Sequence, residues 1–204
     1  MKLKQLEIAL QRLTGFSDPQ AAREQYPTPA PLAARLLYHA LMRGDIKGKT
    51  VCDPGSGTGV LAIGAALLGA NDVVGIEIDP LAAKIAADNA KLLGTEVEFV
   101  VADICAPTLA RKIGERDVVV MNPPFGAQRL HADRPFIDFA LQTAPVTYGV
   151  FNAGTRRFIQ TYIQTRATID EVVGGRLPIW RTFSFHTRDI EEIDVEILRL
   201  IRNA

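Results

Sequence analysis

The chain has 204 residues, 48% of them hydrophobic and 23% charged, with a mean hydropathy of +0.10; this suits one soluble domain with a sizeable core. Lys plus Arg and Asp plus Glu number 23 each, and a net charge of zero argues against a uniformly basic nucleic-acid binder. Two cysteines, Cys52 and Cys105, and three scattered histidines give neither a disulfide framework nor zinc-ligand spacing, so a reducing cytoplasm is the expected compartment and no metal is expected.

Met1 to Leu13 mixes charges with leucines, which is not the pattern of a secretory signal. Leu3, Leu6, Leu10 and Leu13 form a helical stripe that stops at Gly15. Asp18-Pro19 reads as a helix cap followed by proline at the first helical position. Glu24-Gln25-Tyr26-Pro27-Thr28-Pro29 cannot be regular helix, because each proline pushes its predecessor toward extended geometry. A helix is predicted from Pro31 to Arg43, ending at Gly44. From there strands and helices alternate. Strand 50–53 precedes helix 59–68, and strand 73–78 precedes a helix capped by Asp79-Pro80. Strands at 96–101 and 117–121 follow, then helix 135–144, strand 146–151 and helix 155–165. The apolar stretch from Gly59 to Ala70 is too short to cross a membrane and reads as a buried helix. Thr168 to Val173 and Ile193 to Ile201 have no helix between them and should pair antiparallel.

Alternating strands and helices imply a parallel sheet covered on both faces. The expected fold is therefore α/β: a Rossmann-like three-layer sandwich whose seven-stranded sheet is mostly parallel, with an antiparallel terminal strand. We expect one domain over 1–204, with N-terminal helices and a covering segment in 1–48 and the catalytic sheet core in 49–204. Charge is segregated along it. Residues 1–49 carry eight Lys/Arg against four acids, and residues 154–188 carry six Arg against two acids. Such segregation can leave a basic face on a neutral protein.

Two motifs carry chemistry. Asp53-Pro54-Gly55-Ser56-Gly57-Thr58-Gly59 stands at a strand end and opens a helix, where such sheets bind ligands. A dinucleotide fingerprint would read Gly-x-Gly-x-x-Gly over a pyrophosphate. The spacing here is Gly-x-Gly-x-Gly with a carboxylate ahead of it, and that charge suits a cationic sulfonium and amino group. Glu77 ends the second strand, where a carboxylate can accept both ribose hydroxyls. Ile78 can pack on the adenine face, and Asp103 after the third strand can accept from the adenine amine. Asp79 reads as a helix cap. The second motif, Asn122-Pro123-Pro124-Phe125, follows the fourth strand, 69 residues after Asp53. The Asn122 side-chain oxygen and the Pro123 carbonyl can accept the two hydrogens of a planar amine. Proline at 123 and 124 stiffens the backbone, and Phe125 offers a stacking face. Together the motifs point to methyl transfer from S-adenosylmethionine (SAM) to a conjugated nitrogen, with Asn122, Pro123, Pro124 and Phe125 as the catalytic residues.

These residues resemble the SAM-dependent N6-adenine methyltransferases of the class I fold. The whole chain is similar to the small-subunit ribosomal RNA adenosine-N6 methyltransferase family, a methyltransferase-like group with eukaryotic and archaeal members. The similarity starts at Glu24-Gln25-Tyr26-Pro27-Thr28, which in that family folds over the cofactor. It continues through the glycine loop, Glu77-Ile78-Asp79, Asp103-Ile104-Cys105 and Asn122 to Gly126. Weaker similarity covers Asp133, Phe136, Leu177-Pro178, Phe185-His186 and Asp194 to Ile197. The resemblance implies a cofactor site of Gln25, Tyr26, Thr28, Asp53, Gly55, Ser56, Gly57, Thr58, Val60, Glu77, Ile78, Asp103, Ile104, Cys105 and Asn122. It implies structured small-subunit rRNA as substrate, the adenosine flipped from its stack. It also implies a small zinc-containing activator protein, for which residues 96–101 offer an exposed sheet edge. The chain departs from the family with Ser56 and Thr58 where cysteines are expected, with a lysine-poor loop from Ala127 to Ala132 that holds only Arg129, and with a longer stretch from Ile179 to Ser184. Other readings of the residues are methylation of a protein glutamine amide, DNA adenine methylation, or an inactive RNA-binding scaffold.

Overall fold

The structure is a computed structural model that describes residues 1–203 except 127, 129 and 181–189. Seven strands form one sheet: β1 (Thr50–Pro54), β2 (Asp72–Glu77), β3 (Glu98–Val101), β4 (Val118–Met121), β5 (Val146–Asn152), β6 (Ala167–Trp180) and β7 (Ile190–Arg202). Their order is β3-β2-β1-β4-β5-β7-β6. The first five are parallel, and β7 runs antiparallel between β5 and β6. The expected mostly parallel sheet with an antiparallel terminal strand is what the chain forms.

Among the described residues seven α-helices accompany it: α1 (Leu3–Leu10), α2 (Ala30–Met42), α3 (Val60–Leu67), α4 (Pro80–Leu92), α5 (Leu109–Ile113), α6 (Arg134–Thr143) and α7 (Arg156–Ile163). The period-2 alternation of strand side chains divides the core. Val51, Val73, Val118 and Val120 point into a core built with α1, α2 and α3. Cys52, Val74, Ile76, Val119 and Met121 point to the opposite face, which α5, α6 and α7 cover. Residues Val60 to Ala65 of α3 are all buried, as a helix apolar on every side must be.

The elements depart from the sequence expectations in three places. Asp18-Pro19 starts no helix. A three-residue 3-10 turn, Ala21–Arg23, follows Gln20 instead, and Glu24 leaves it in the left-handed region at φ 50°. The short α5 was not anticipated, because its five residues are too few to display a period. The strand expected at 168–173 extends as β6 to Trp180, paired with β7 along its length except for a bulge at Asp170. Asp79 caps α4 as expected, accepting from the Leu81 N–H at 2.9 Å with Pro80 at the first position.

Strand order reverses between β2-β1 and β4-β5, because the chain returns to the sheet centre after β3. Loops leaving β1 and β4 therefore diverge to opposite faces and open a crevice at the carboxyl edge. That crevice receives both motifs.

Candidate active site

At the carboxyl edge lies a cavity of about 570 Å³, within the range of small-molecule sites. One wall is the loop after β1. Gly55 and Gly57 hold φ at 73° and 54°, and a Cβ there would sit 2.6 Å from the Phe136 ring and 2.9 Å from the Phe16 ring. Only glycine meets both the backbone sign and the close approach. Glu77, nearly buried, fixes this loop: its Oε2 accepts from the Gly57 N–H at 2.8 Å and its Oε1 from the Asp79 N–H at 2.9 Å. Each oxygen keeps a second lone pair for a ribose hydroxyl.

Asp53 is 1% exposed, and its Oδ2 accepts from the Ala62 N–H at 3.0 Å while Oδ1 has no partner. Burial pushes its carboxyl up to about 8, and the nearby charge of Glu77 adds to the rise. The sequence suggests a standing negative charge here. In this surrounding the neutral form is favoured near pH 7, and a cation beside it would restore ionisation. Ser56 Oγ is also buried without a partner.

The opposite wall is the loop after β4. The Asn122 Nδ2 donates to Thr28 Oγ1 at 3.0 Å, and Asn122 Oδ1 is buried with no partner. A buried amide oxygen without a donor is costly, and such exceptions call for an explanation. Asn122 and Pro124 line the cavity. Pro123 is buried, and Phe125 packs partly against the first core, so neither belongs to the cavity lining.

A segment from Gln20 to Thr28 spans the two walls. On the β2 side, Gln25 Nε2 donates to Asp79 Oδ2 at 2.9 Å, and Arg23 pairs with the same oxygen at 3.2 Å. The Gln25 hydrogen bond, the backbone donors of Leu81 and Ala82, and the Arg23 charge hold the Asp79 carboxyl below its ordinary range. On the β4 side, Glu24 accepts from the Phe125 N–H at 2.7 Å and the Gln128 N–H at 2.9 Å. Underneath, the Asn89 side chain of α4 bonds both backbone groups of Thr14 and the Thr58 carbonyl, each at 2.9 Å.

Gln25, Tyr26, Thr28, Asp53, Gly55, Ser56, Gly57, Thr58, Val60, Glu77, Ile78, Asp103, Ile104, Cys105 and Asn122 all line this one cavity. Sequence reasoning did not single out Phe16, Arg23, His131 or Arg134 of the same lining, nor the bracing roles of Glu24 and Asn89. Only the Glu24-to-Thr28 resemblance pointed near them.

The family model described as ribosomal protein L11 methyltransferase (PrmA) matches residues 34–123. A crystal structure of a candidate RNA methyltransferase from Pyrococcus horikoshii is 37% identical. Its TM-score is 0.91, and the match covers 100% of this chain and 99% of that one. The rRNA N(6)-adenosine-methyltransferase METTL5 of Danio rerio is 35% identical over 98% of both chains, and its Drosophila melanogaster counterpart is 34% identical over 98% of this chain and 96% of that one. The chain belongs to the METTL5 family. Against that family, the expected departures at Ser56 and Thr58 fall on the cavity wall, where Thr58 is buried. The chain's lysine-poor loop contributes Leu130, His131 and Ala132 to the rim, whereas Ala127 and Arg129 lie outside the described residues. So do Phe185-His186 and residues 181–184 of the longer stretch.

Proposed function

We propose that this chain transfers a methyl group from SAM to the exocyclic N6 of an adenosine in rRNA, with structured small-subunit rRNA as the substrate. The observation that carries this is the Asn122 amide, held by Thr28 on its nitrogen and free on its buried oxygen. The residues of the β1 wall fit SAM. Asp53 Oδ1 and Ser56 Oγ are unpartnered polar atoms in the lining, and Glu77 faces the cavity from the end of β2. SAM, when bound, supplies a methyl group on an already activated sulfonium.

The chain's own task is then to present the nucleophile. An N6 lone pair is conjugated into the purine ring. Asn122 Oδ1 would accept one amine hydrogen, and the Pro123 carbonyl, which lies behind the lining, would have to turn toward the cavity to accept the other; together they would turn the lone pair out of the ring plane. Glu24 and Thr28 keep these acceptors in place, and the segment across the cavity excludes water. Positioning of this kind supplies most of what such a transfer needs. The Phe125 ring packs toward the first core, so a stacking role for it rests on its place in the motif alone.

Two finer points belong to the same reading. A small zinc-containing activator would add a strand to β3, which is an outer strand of the sheet and carries an exposed Val101. A cytoplasmic setting is supported by Cys52 and Cys105, neither of which is held in a disulfide among the described residues.

Transfer of labelled methyl from SAM to rRNA tests the proposal. Wild type should label rRNA, and Asn122→Ala should lose about a hundredfold in rate, the scale of a misplaced reactant. Equal labelling by both would show that the acceptor has been wrongly assigned.

A further inference from the structure

Beside the cavity, a row of aromatic and cationic side chains extends away from the catalytic loop. His131 follows β4, and α7 follows β5, the neighbouring strand, so both leave the sheet at the edge where Asn122 lies. The His131 ring stacks on Phe158, centroids 5.8 Å apart and 19° from parallel. Phe158 stacks in turn on Tyr162 at 5.8 Å and 22°. Phe158 and Tyr162 are four apart in α7 and share its half-exposed face, while Ile159 and Ile163 fill the core beneath. The Arg134 guanidinium lies 5.0 Å from the Phe158 centroid and 5.2 Å from that of Tyr162.

Arg134 differs from its neighbour Arg166. Arg166 also sits over Tyr162, but Asp138 holds it at 2.6 Å, which marks a structural pair. Arg134 forms no ion pair among the described residues, and its Nε is buried without an acceptor. It also lines the cavity, as does His131, which is exposed. A cation near the Asp133 carboxyl but with no carboxylate in ion-pair contact among the described residues, laid on aromatic faces at the mouth of the site, suits a phosphate beside a stacked base. Alternating aromatic faces and arginine are how single strands are held. In a chain with no net charge, contact with nucleic acid has to be local in this way.

We propose that His131, Arg134, Phe158 and Tyr162 form a docking strip for single-stranded RNA flanking the target adenosine, with Arg134 on a phosphate and the rings under successive bases. The strip rests on the RNA-methylation reading above and adds the path of the substrate strand. It predicts that the flanking nucleotides are unpaired when bound.

The test uses the purified full chain and a fluorescein-labelled single-stranded RNA of mixed sequence, with binding read by anisotropy across a salt series. His131→Ala combined with Phe158→Leu, which keeps the apolar packing, should weaken binding about tenfold, as the loss of a stacking face does. Arg134→Gln should lower the salt slope by about 0.7, one phosphate contact to a single strand. Calorimetric SAM affinity and the unfolding midpoint of Phe158→Leu should match wild type. If that variant unfolds early, the Arg134→Gln slope alone decides. Wild-type binding and slope in all variants, or equal weakening toward duplex RNA, would overturn the strip while leaving methylation of rRNA intact. A wild-type chain that methylates no rRNA would instead overturn the underlying reading.

Discussion

Asn122 concentrates the chemistry, and its orientation depends on one hydroxyl. Thr28 Oγ1 takes the amide hydrogen and leaves the buried amide oxygen without a partner beside the cavity. Thr28→Val removes that acceptor. A net hydrogen bond is worth about 1 kcal/mol, so kcat should fall roughly fivefold. Thr28→Ser should keep the wild-type rate, and a loss in Thr28→Ser with none in Thr28→Val would show that the methyl group, not the hydroxyl, matters. Asp53 makes a prediction in pH. Its carboxyl is raised to about 8 in the folded chain, so ionisation opposes folding: this group's contribution to stability is fully present at and below its ordinary value and is lost as pH rises through about 8. A bound cation reverses this preference. SAM binding at pH 7 should therefore release close to one proton, and affinity should rise with pH up to about 8. Calorimetry in buffers of different ionisation enthalpy reads that proton directly. Asp53→Asn should abolish it, whereas a buffer-independent enthalpy in wild type would mean that Asp53 does not meet the positive charge.

At the scale of elements, the segment from Gln20 to Thr28 joins walls built from distant parts of the chain. Gln25 reaches Asp79 and Glu24 reaches Phe125 and Gln128, so cofactor side and substrate side share one strap. Glu24→Ala should free two backbone N–H groups. Hydrogen exchange at Phe125 and Gln128 should accelerate about tenfold or more while α2 stays protected, and kcat should fall. Unchanged exchange at both amides would deny Glu24 its bracing role. The strap also shows where sequence reasoning stopped. Apolar alternation exposed the strands, and the Asp79-Pro80 pair exposed the start of α4, because these signals are local. Asn89 looked like any polar residue on a helix. Its burial and its bonds to Thr14 and Thr58 come from the meeting of three segments that no spacing rule connects. Tetrad residues were legible as a motif, yet the inward packing of Phe125 and the bond from its backbone N–H to Glu24, 101 positions away, were not.

For the whole molecule, alternation implied a parallel sheet but not the order of its strands. Insertion of β7 between β5 and β6 leaves β3 at one edge, and the consequence can be tested there. The Ala102 N–H bonds the Glu77 carbonyl, so by the alternation of a strand Glu98 and Val100 face β2 while Phe99 and Val101 direct their backbone groups to the open edge. A partner strand would bond those outward groups. Val101→Pro removes one outward donor and no bond to β2, and proline is tolerated at such a position. The chain alone should unfold within about 1 kcal/mol of wild type, as surface changes do. If a small zinc-containing activator docks at this edge, as proposed, co-expression with it should separate the two: wild type would be retained as a complex on size exclusion, and Val101→Pro would elute by itself. A Val101→Pro chain that still carried the activator would move the contact away from this edge. The remaining long strand, β6, at the opposite side of the sheet, would become the surface to probe.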